Sequence, residues 1–363
     1  MIESFSQSYP EAREKFLNAA RKAGAHLSQY VLDQAGPDGG SLSTDVAFVG
    51  PADASSVLVT ISGTHGVEGF FGSGTQVEWL TRGEASLLKD KPIAALHIHA
   101  INPYGFAWLR RTNEGNVDIN RNWIDFNSPL PGNDLYDELA ADLCPVDWSP
   151  ETQAQTGARI LAWIARHNND PGIYQAAVSG GQWKHPRGLF YGGTGITWSR
   201  QTLADILTNT LGKATKVCIL DFHTGLGPYG YAEPIIGRAR DDPAFPRVSA
   251  WIGGGGKSLV GDSVSAKIKG DSLTAMPALL PHAEVDTVAL ECGIRPVTEV
   301  AQALRADAWL HAHGDPLSQE AKPIKAMIRA AFHSDDPFWQ GMALGQGLAA
   351  CRAALGRLNG PGP

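Results

Sequence analysis

Cysteine is scarce in this chain of 363 residues: there are four, Cys144, Cys218, Cys292 and Cys351, and no two of them form a CxxC pair. That spacing excludes a zinc ribbon and a thioredoxin-type redox motif. Cys218 and Cys292 lie in apolar runs, where a free thiol behaves as a small buried hydrophobe. Basic clusters are missing too. The chain carries 30 Lys and Arg against 37 Asp and Glu, a net charge of −7, with no Lys/Arg-rich run. Nucleic acid is therefore a poor partner, because phosphate neutralisation needs clustered positive charge. No stretch approaches the roughly 20 apolar residues of a membrane helix. The opening MIESFSQSYPEAREKF holds acids and no apolar core segment, which predicts no signal peptide, no membrane partner and a cytoplasmic location. A GxSxG nucleophile elbow is absent, which argues against a serine hydrolase.

What is present is an alternation of strand and helix patterns. Hydrophobic residues make up 43% of the chain, enough to bury a sizeable core over its whole length. An amphipathic pattern near helical spacing runs from about Pro10 to Leu32, and the turn cluster GPDGG follows at 36–40. VAFVG (46–50) and SSVLVTISG (55–63) read as strands, and a helix is expected from Gly69 to about Thr81. AALHIHAIN (94–102), KVCILDFHTG (216–225), EPIIGR and DTVALECG (286–293) supply further strands. Between Trp123 and Arg200 the chain reads as a tryptophan-rich, irregular insertion apart from a helical stretch near 151–167. A helix at 200–211 follows, and three more at about 297–313, 322–333 and 337–357 end the chain. Such alternation predicts an α/β fold whose sheet is covered on both faces. We expect one domain over 1–363, with the insertion at about 123–200 and a helical C-terminal segment at about 296–358. The oligomeric state is left open.

The chemistry begins at SGTHGVEGFF, residues 62–71, where His65 and Glu68 stand three apart between a strand and a helix. At that junction both side chains can turn toward one point beyond the end of the sheet, where open α/β sheets place ligands. An imidazole and a carboxylate at this spacing can share one zinc ion, and His223, at the end of the apolar run VCILDFHTG, can complete the set. Three such ligands leave a fourth position for water, the mark of a catalytic zinc. Glu291 is the only acid in TVALECGI, which suits a partly desolvated general base; pairing with Arg295 is the alternative.

Further along, NP-x-G at 102–105 is followed by RxN and then by VDINRNW, up to Trp123. With HxxE before it and DFH after it, this order resembles the zinc carboxypeptidase family of the carboxypeptidase A type, in a bacterial carboxypeptidase-like branch. The resemblance runs from about Ile61 to Gly293. It implies a three-layer αβα fold around a central mixed, mostly parallel sheet, and one zinc ion per chain held by His65, Glu68 and His223. It also implies that Arg111 steadies the oxyanion, that Asn120 and Arg121 grip a substrate carboxylate, and that Glu291 activates water. The activity implied is that of a zinc metallopeptidase, a hydrolase acting on a small peptide or an acylated amino acid. An arginine fork suits both proposed tasks.

Several alternatives stay open at this stage. Arg110 adjoins Arg111 and can exchange roles with it. Asn120 can be a turn residue and Arg121 part of a structural ion pair. His97 and His99 share a strand face and suit packing better than a second metal. Asp118 can orient a ligand histidine or cap local backbone. GLGPYG (225–230) fits GxGxxG but leads to a strand, so it fails as a dinucleotide fingerprint. The family's mobile-loop tyrosine has no clear counterpart, since Tyr229 and Tyr231 follow His223 closely. Two rival functions remain: an N-acyl amino acid deacylase of the aspartoacylase or succinylglutamate desuccinylase type, and a non-catalytic metal- or peptide-binding protein. The deacylases commonly append a small C-terminal β domain, whereas residues after 296 here read as helical.

Overall fold

The computed structural model describes residues 2–259, 263 and 268–360. Eight strands form one sheet: β1 (His26–Ala35), β2 (Ser41–Val49), β3 (Ser56–Ile61), β4 (Ile93–His99), β5 (Lys216–Gly225), β6 (Ala232–Ile236), β7 (Lys257–Ser258) and β8 (Glu284–Gly293). Their order across the sheet is β1-β2-β4-β3-β5-β8-β6-β7. The central neighbours β4, β3, β5 and β8 run parallel, β6 and β7 are parallel to each other, and antiparallel pairs join β1, β2 and β6 to the rest. The sheet is mixed and mostly parallel, as expected.

Alternation along the central strands feeds two cores. Leu58, Leu220, Phe222, Val288 and Leu290 face a cluster filled by Phe16 of the helix Tyr9–Lys22, Phe71 and Trp79 of Gly69–Thr81, and Trp339 of Pro337–Asn359. On the other face Val57, Val59, Ile61, Val217, Ile219 and Ala289 meet Leu203, Ile206 and Leu207 of Trp198–Thr210, and Leu273 and Met276 of Ser272–Leu279. Each fully buried aliphatic or aromatic side chain of this kind contributes about 1.5–3 kcal/mol, so helices hold the sheet from both sides. No helix among the described residues is long and apolar enough to cross a membrane.

Two expectations are corrected. The stretch 10–32 is not one helix. It ends at Lys22, Gly24 takes φ +69°, and His26–Ala35 becomes an edge strand pairing with β2. The ladder with β2 overrides the weak helical spacing of Leu27 and Val31; Val31 is 58% exposed. The insertion is also more regular than its sequence pattern predicts, with helices at Asp134–Leu143, at Pro150–Arg166, where one is expected, and at Pro171–Ser179. Each starts at a side-chain cap, Asn133, Ser149 and Asp170 respectively, which accepts a backbone N–H of the first turn. These helices pack with Val300, Leu304, Ile328 and Phe332 of the C-terminal helices Val297–His313 and Ala321–Phe332.

His97 and His99 are packing residues of β4. His97 Nδ1 lies 2.7 Å from Thr60 Oγ1 with its ring against Trp79, and His99 Nε2 lies 2.9 Å from Ser73 Oγ with its ring stacked on Phe16. Burial pushes the two pKa values down, to about 3 and about 4. A histidine depressed in this way contributes stability that is complete above the unfolded value of about 6.5 and is lost as pH falls toward the folded one. The unfolding midpoint should therefore fall between about pH 6.5 and 4. His97→Gln, which takes up no proton in that range, should show a shallower fall. An unchanged slope in that variant, measured by thermal denaturation, would mean that His97 is not held neutral.

Candidate metal centre

The candidate residues cluster at the C-terminal ends of the parallel strands. From β3 the chain proceeds to β4 on one side, while β5 and β8 lie on the other. The gap between β3 and β5 is thus a switch point, the place where open α/β sheets receive ligands. His65 and Glu68 follow β3, with Glu68 closing the short 3-10 turn Gly66–Glu68 ahead of the helix Gly69–Thr81. His223 belongs to β5, and its register partner on β8 is Glu291. Gly66 is required by close approach: a Cβ there would lie 1.9 Å from the Gly105 carbonyl carbon. Gly66 N and Val67 N donate to the carbonyl oxygens of Arg111 and Arg110, at 3.2 and 3.0 Å, so the ligand turn and the arginine segment are stitched together.

His65, Glu68 and His223 converge, and all three are buried. His65 Nδ1 is 3.0 Å from Glu68 Oε1, His223 Nδ1 is 3.1 Å from Glu68 Oε2, and the two Nδ1 atoms are 3.2 Å apart. Tetrahedral zinc with bonds near 2.0–2.1 Å would set its ligand atoms about 3.3 Å from one another. The two Glu68 contacts go to different oxygens, so they do not outline one tetrahedral face, but the donor set and its close approach suit one zinc ion. The far ring nitrogens face charged side chains. His65 Nε2 faces Asp118 Oδ1 at 3.2 Å and Arg111 Nη2 at 2.8 Å. Arg111 Nη2 can only donate, so in this structure Nε2 accepts from it. With a metal on Nδ1 the ring proton would sit on Nε2 and point to Asp118, and Arg111 Nη2 would have to draw back. His223 Nε2 lies 2.9 Å from Asp221 Oδ2, at ion-pair distance but off the line of a straight hydrogen bond. Thr64 Oγ1 donates to both Asp221 oxygens, which fixes that carboxylate.

The electrostatics call for positive charge. Burial alone would raise the Glu68 pKa, but His65, His223 and Arg111 reverse this and hold it far below the ordinary carboxylate range. Asp118 behaves alike, burial being overcome by Arg111, Arg121 and His65. Burial opposes a charged His223, yet Asp221 and Glu68 lift its pKa well above the usual value. A field that favours a proton there also favours a cation.

The sequence-derived residues assemble around this point. Arg111 donates from Nη1 to Glu68 Oε1 at 3.0 Å and from Nε to Asp118 Oδ2 at 2.9 Å. Arg110 turns away: it donates to Asn116 Oδ1 and approaches Asp307 at 3.6 Å, which separates the two arginines. Asp118 does both things open to it, facing His65 and accepting from Asn120 N. Asn120 Oδ1 accepts from Ser272 Oγ at 2.7 Å, leaving its amide N–H groups uncommitted to that bond. Arg121 gives three N–H bonds to the Ser179 and Asn120 carbonyls and keeps two of its five. Glu291 is half-buried and accepts from Leu226 N at 3.0 Å. Burial first, and then repulsion from Glu68, raise its pKa to about 7. Leu226 lies in the glycine-rich GLGPYG, whose contribution is this backbone donor. Tyr229 is 47% exposed and donates to Asp336 Oδ2.

Sequence reasoning missed Asp221, Thr64, Ser272 and the Leu226 N–H. Asp221 had a readable signal, since it stands two residues before His223 on the same strand face. The metal assignment predicts about one zinc per chain by elemental analysis, with His223→Ala losing it. Asp118→Asn should weaken zinc binding by about 10–100-fold, read by competition with a chelator. Full occupancy in His223→Ala would remove that histidine from the ligand set.

No curated protein matches this chain. Among solved structures it is similar to bovine thrombin-activatable fibrinolysis inhibitor in complex with tick carboxypeptidase inhibitor, at 12% identity and a TM-score of 0.47, over 90% of this chain and 97% of that one. It is similar to carboxypeptidase A from Helicoverpa armigera, also at 12% identity and 0.47, over 96% and 74% of the two chains. A succinylglutamate desuccinylase from Silicibacter sp. is similar at 15% identity and 0.39, over 80% and 67%. One family model covers nearly the whole sequence, matching residues 5–346, and the chain therefore belongs to the family described as "Protein of unknown function (DUF2817)".

Proposed function

We propose that this protein is a zinc-dependent hydrolase that cleaves an amide bond next to a free carboxylate, in the manner of a metallocarboxypeptidase. The observation that carries the reading is the convergence of His65 Nδ1, Glu68 and His223 Nδ1 beside Glu291, the neighbour of His223 across β5 and β8. Held by those three side chains, zinc supplies Lewis acidity and lowers the pKa of water toward about 7.

The chain's own residues then divide the work. Glu291, oriented by Leu226 N–H, takes the proton from the attacking water and delivers it to the departing nitrogen. A carboxylate of ordinary pKa would be a weaker base, and burial beside Glu68 supplies the upward shift. Arg111 directs its guanidinium toward the ligand carboxylate and stabilises negative charge as it develops on the carbonyl oxygen. Burial works against its charge, but Asp118 and Glu68 outweigh that and keep it protonated. Arg121, with the remaining N–H groups of its fork, and Asn120, with its amide held by Ser272, bind the substrate carboxylate.

The rival reading is an N-acyl amino acid deacylase acting at the same centre. A panel of C-terminal dipeptides set against N-acyl amino acids, with and without chelator, tests the choice. Chelator-sensitive release from dipeptides is the expected result; preference for the acyl panel would replace peptidase with deacylase. Glu291→Gln should keep its zinc and lose about 10²–10⁴-fold in kcat. A rate near wild type in that variant would take Glu291 out of the mechanism. Zinc binding without turnover on either panel would leave a metal-binding protein.

A further inference from the structure

Two guanidinium groups, that of Arg121 buried and that of Arg111 largely so, share one aromatic ring. The Cζ atoms of Arg111 and Arg121 lie 5.1 and 5.4 Å from the centroid of Phe190, both within cation–π range. Like charges this close to a common ring repel one another. After burial, which is the largest cause, the field of Arg111 helps to lower the Arg121 pKa to about 10, against the opposing pull of Asp118.

Phe190 reaches this place at a conformational cost. Its φ is +53°, in the left-handed region that a bulky residue enters only where its surroundings enforce it. The enforcement is visible. Gln182 N donates to Phe190 O at 3.2 Å and Gly192 N to Gln182 O at 2.8 Å. Asp118 N donates to Tyr191 O at 2.8 Å, and Asn122 Nδ2 to Gly192 O at 2.8 Å. The loop that carries Phe190 is thus sewn to the segment that carries Asp118 and Arg121. Its ring, 8% exposed, also belongs to the apolar cluster that contains Val67 of the ligand turn.

We propose that Phe190 is a positioning residue: its ring holds Arg111 against Glu68 and Arg121 against the Ser179 carbonyl, so that the two cations act at separate points of one anionic substrate. The assignment of the arginines rests on the function proposed above. Core packing alone does not require an aromatic ring between two guanidinium groups. A shared aromatic ring, in contrast, offers attraction to both cations without placing another charge between them.

The test compares Phe190→Leu, Phe190→Met and Phe190→Tyr with wild type, all loaded with zinc. Succinate binding by calorimetry is measured beside kcat and KM on the best substrate of the panel. The two ringless variants should keep their zinc, lose about tenfold in kcat and weaken KM and the succinate Kd by about tenfold, while Phe190→Tyr restores both. In an Arg111→Ala background the kcat effect of Phe190→Leu should vanish, because one residue acts through the other. Parameters within about twofold of wild type in the ringless variants, equal losses in Phe190→Tyr, or full additivity with Arg111→Ala would overturn the proposal. So would failure of both ringless variants to fold, which would assign the ring to packing. If wild type binds succinate but hydrolyses nothing, the proposed function falls and the succinate affinities alone decide for Phe190. If it does neither, both fall.

Discussion

A carboxylate with 1% of its surface exposed stays ionised only if positive groups and donors surround it, and the centre of this molecule is arranged around that demand from Glu68. His65 arrives from the same turn, His223 from β5, Arg111 from the loop beyond β4, and the backbone N–H of Thr224 from the residue after His223. Segments more than 150 residues apart in sequence therefore close on one charge. The neighbouring acids Asp118 and Asp221 extend the pattern outward, each set against the far nitrogen of one imidazole. The convergent lone pairs that fit zinc are a product of this nested pairing.

The sheet makes the pairing possible. β3, β5 and β8 run parallel, so their C-terminal ends lie along one edge, and the pairing of His223 with Glu291 sets the proposed base beside a proposed ligand. A slip of one residue in β8 would exchange Glu291 for Leu290 or Cys292, which face the opposite core. Because both faces are apolar, the close packing of particular side chains rather than polar–apolar alternation penalises that slip, and it sets which residues stand at the sheet's edge.

Above that edge, the insertion and the C-terminal helices form one apolar cluster that reaches Val67 inside the ligand turn. The arginine segment is fixed from two directions. Its carbonyls accept from the ligand turn, while the loop around Phe190 bonds to Asp118 and Asn122. Lys325, which donates to both Trp108 O and Asp307, ties the C-terminal helices to the same stretch of chain.

Much of this was legible in the sequence. His65 and Glu68 stand at a strand–helix junction, His223 and Glu291 end long apolar runs, and their strands declare themselves by length and β-branched content. The helix Gly69–Thr81 and the strand Lys216–Gly225 fall where their patterns place them, because burial leaves a periodic trace in a single segment. The end of the first helix at Lys22 did not show, since the edge strand that follows is held by pairing with β2 rather than by its own pattern. Within the insertion the helix Pro150–Arg166 was readable, whereas Asp134–Leu143 and Pro171–Ser179 are short and leave too brief an apolar pattern to read. The choice between Arg110 and Arg111, the double duty of Asp118 and the place of Phe190 were decided by tertiary structure. Each depends on which distant group lies across a few ångströms of space, and residue type and spacing along a chain do not encode that distance.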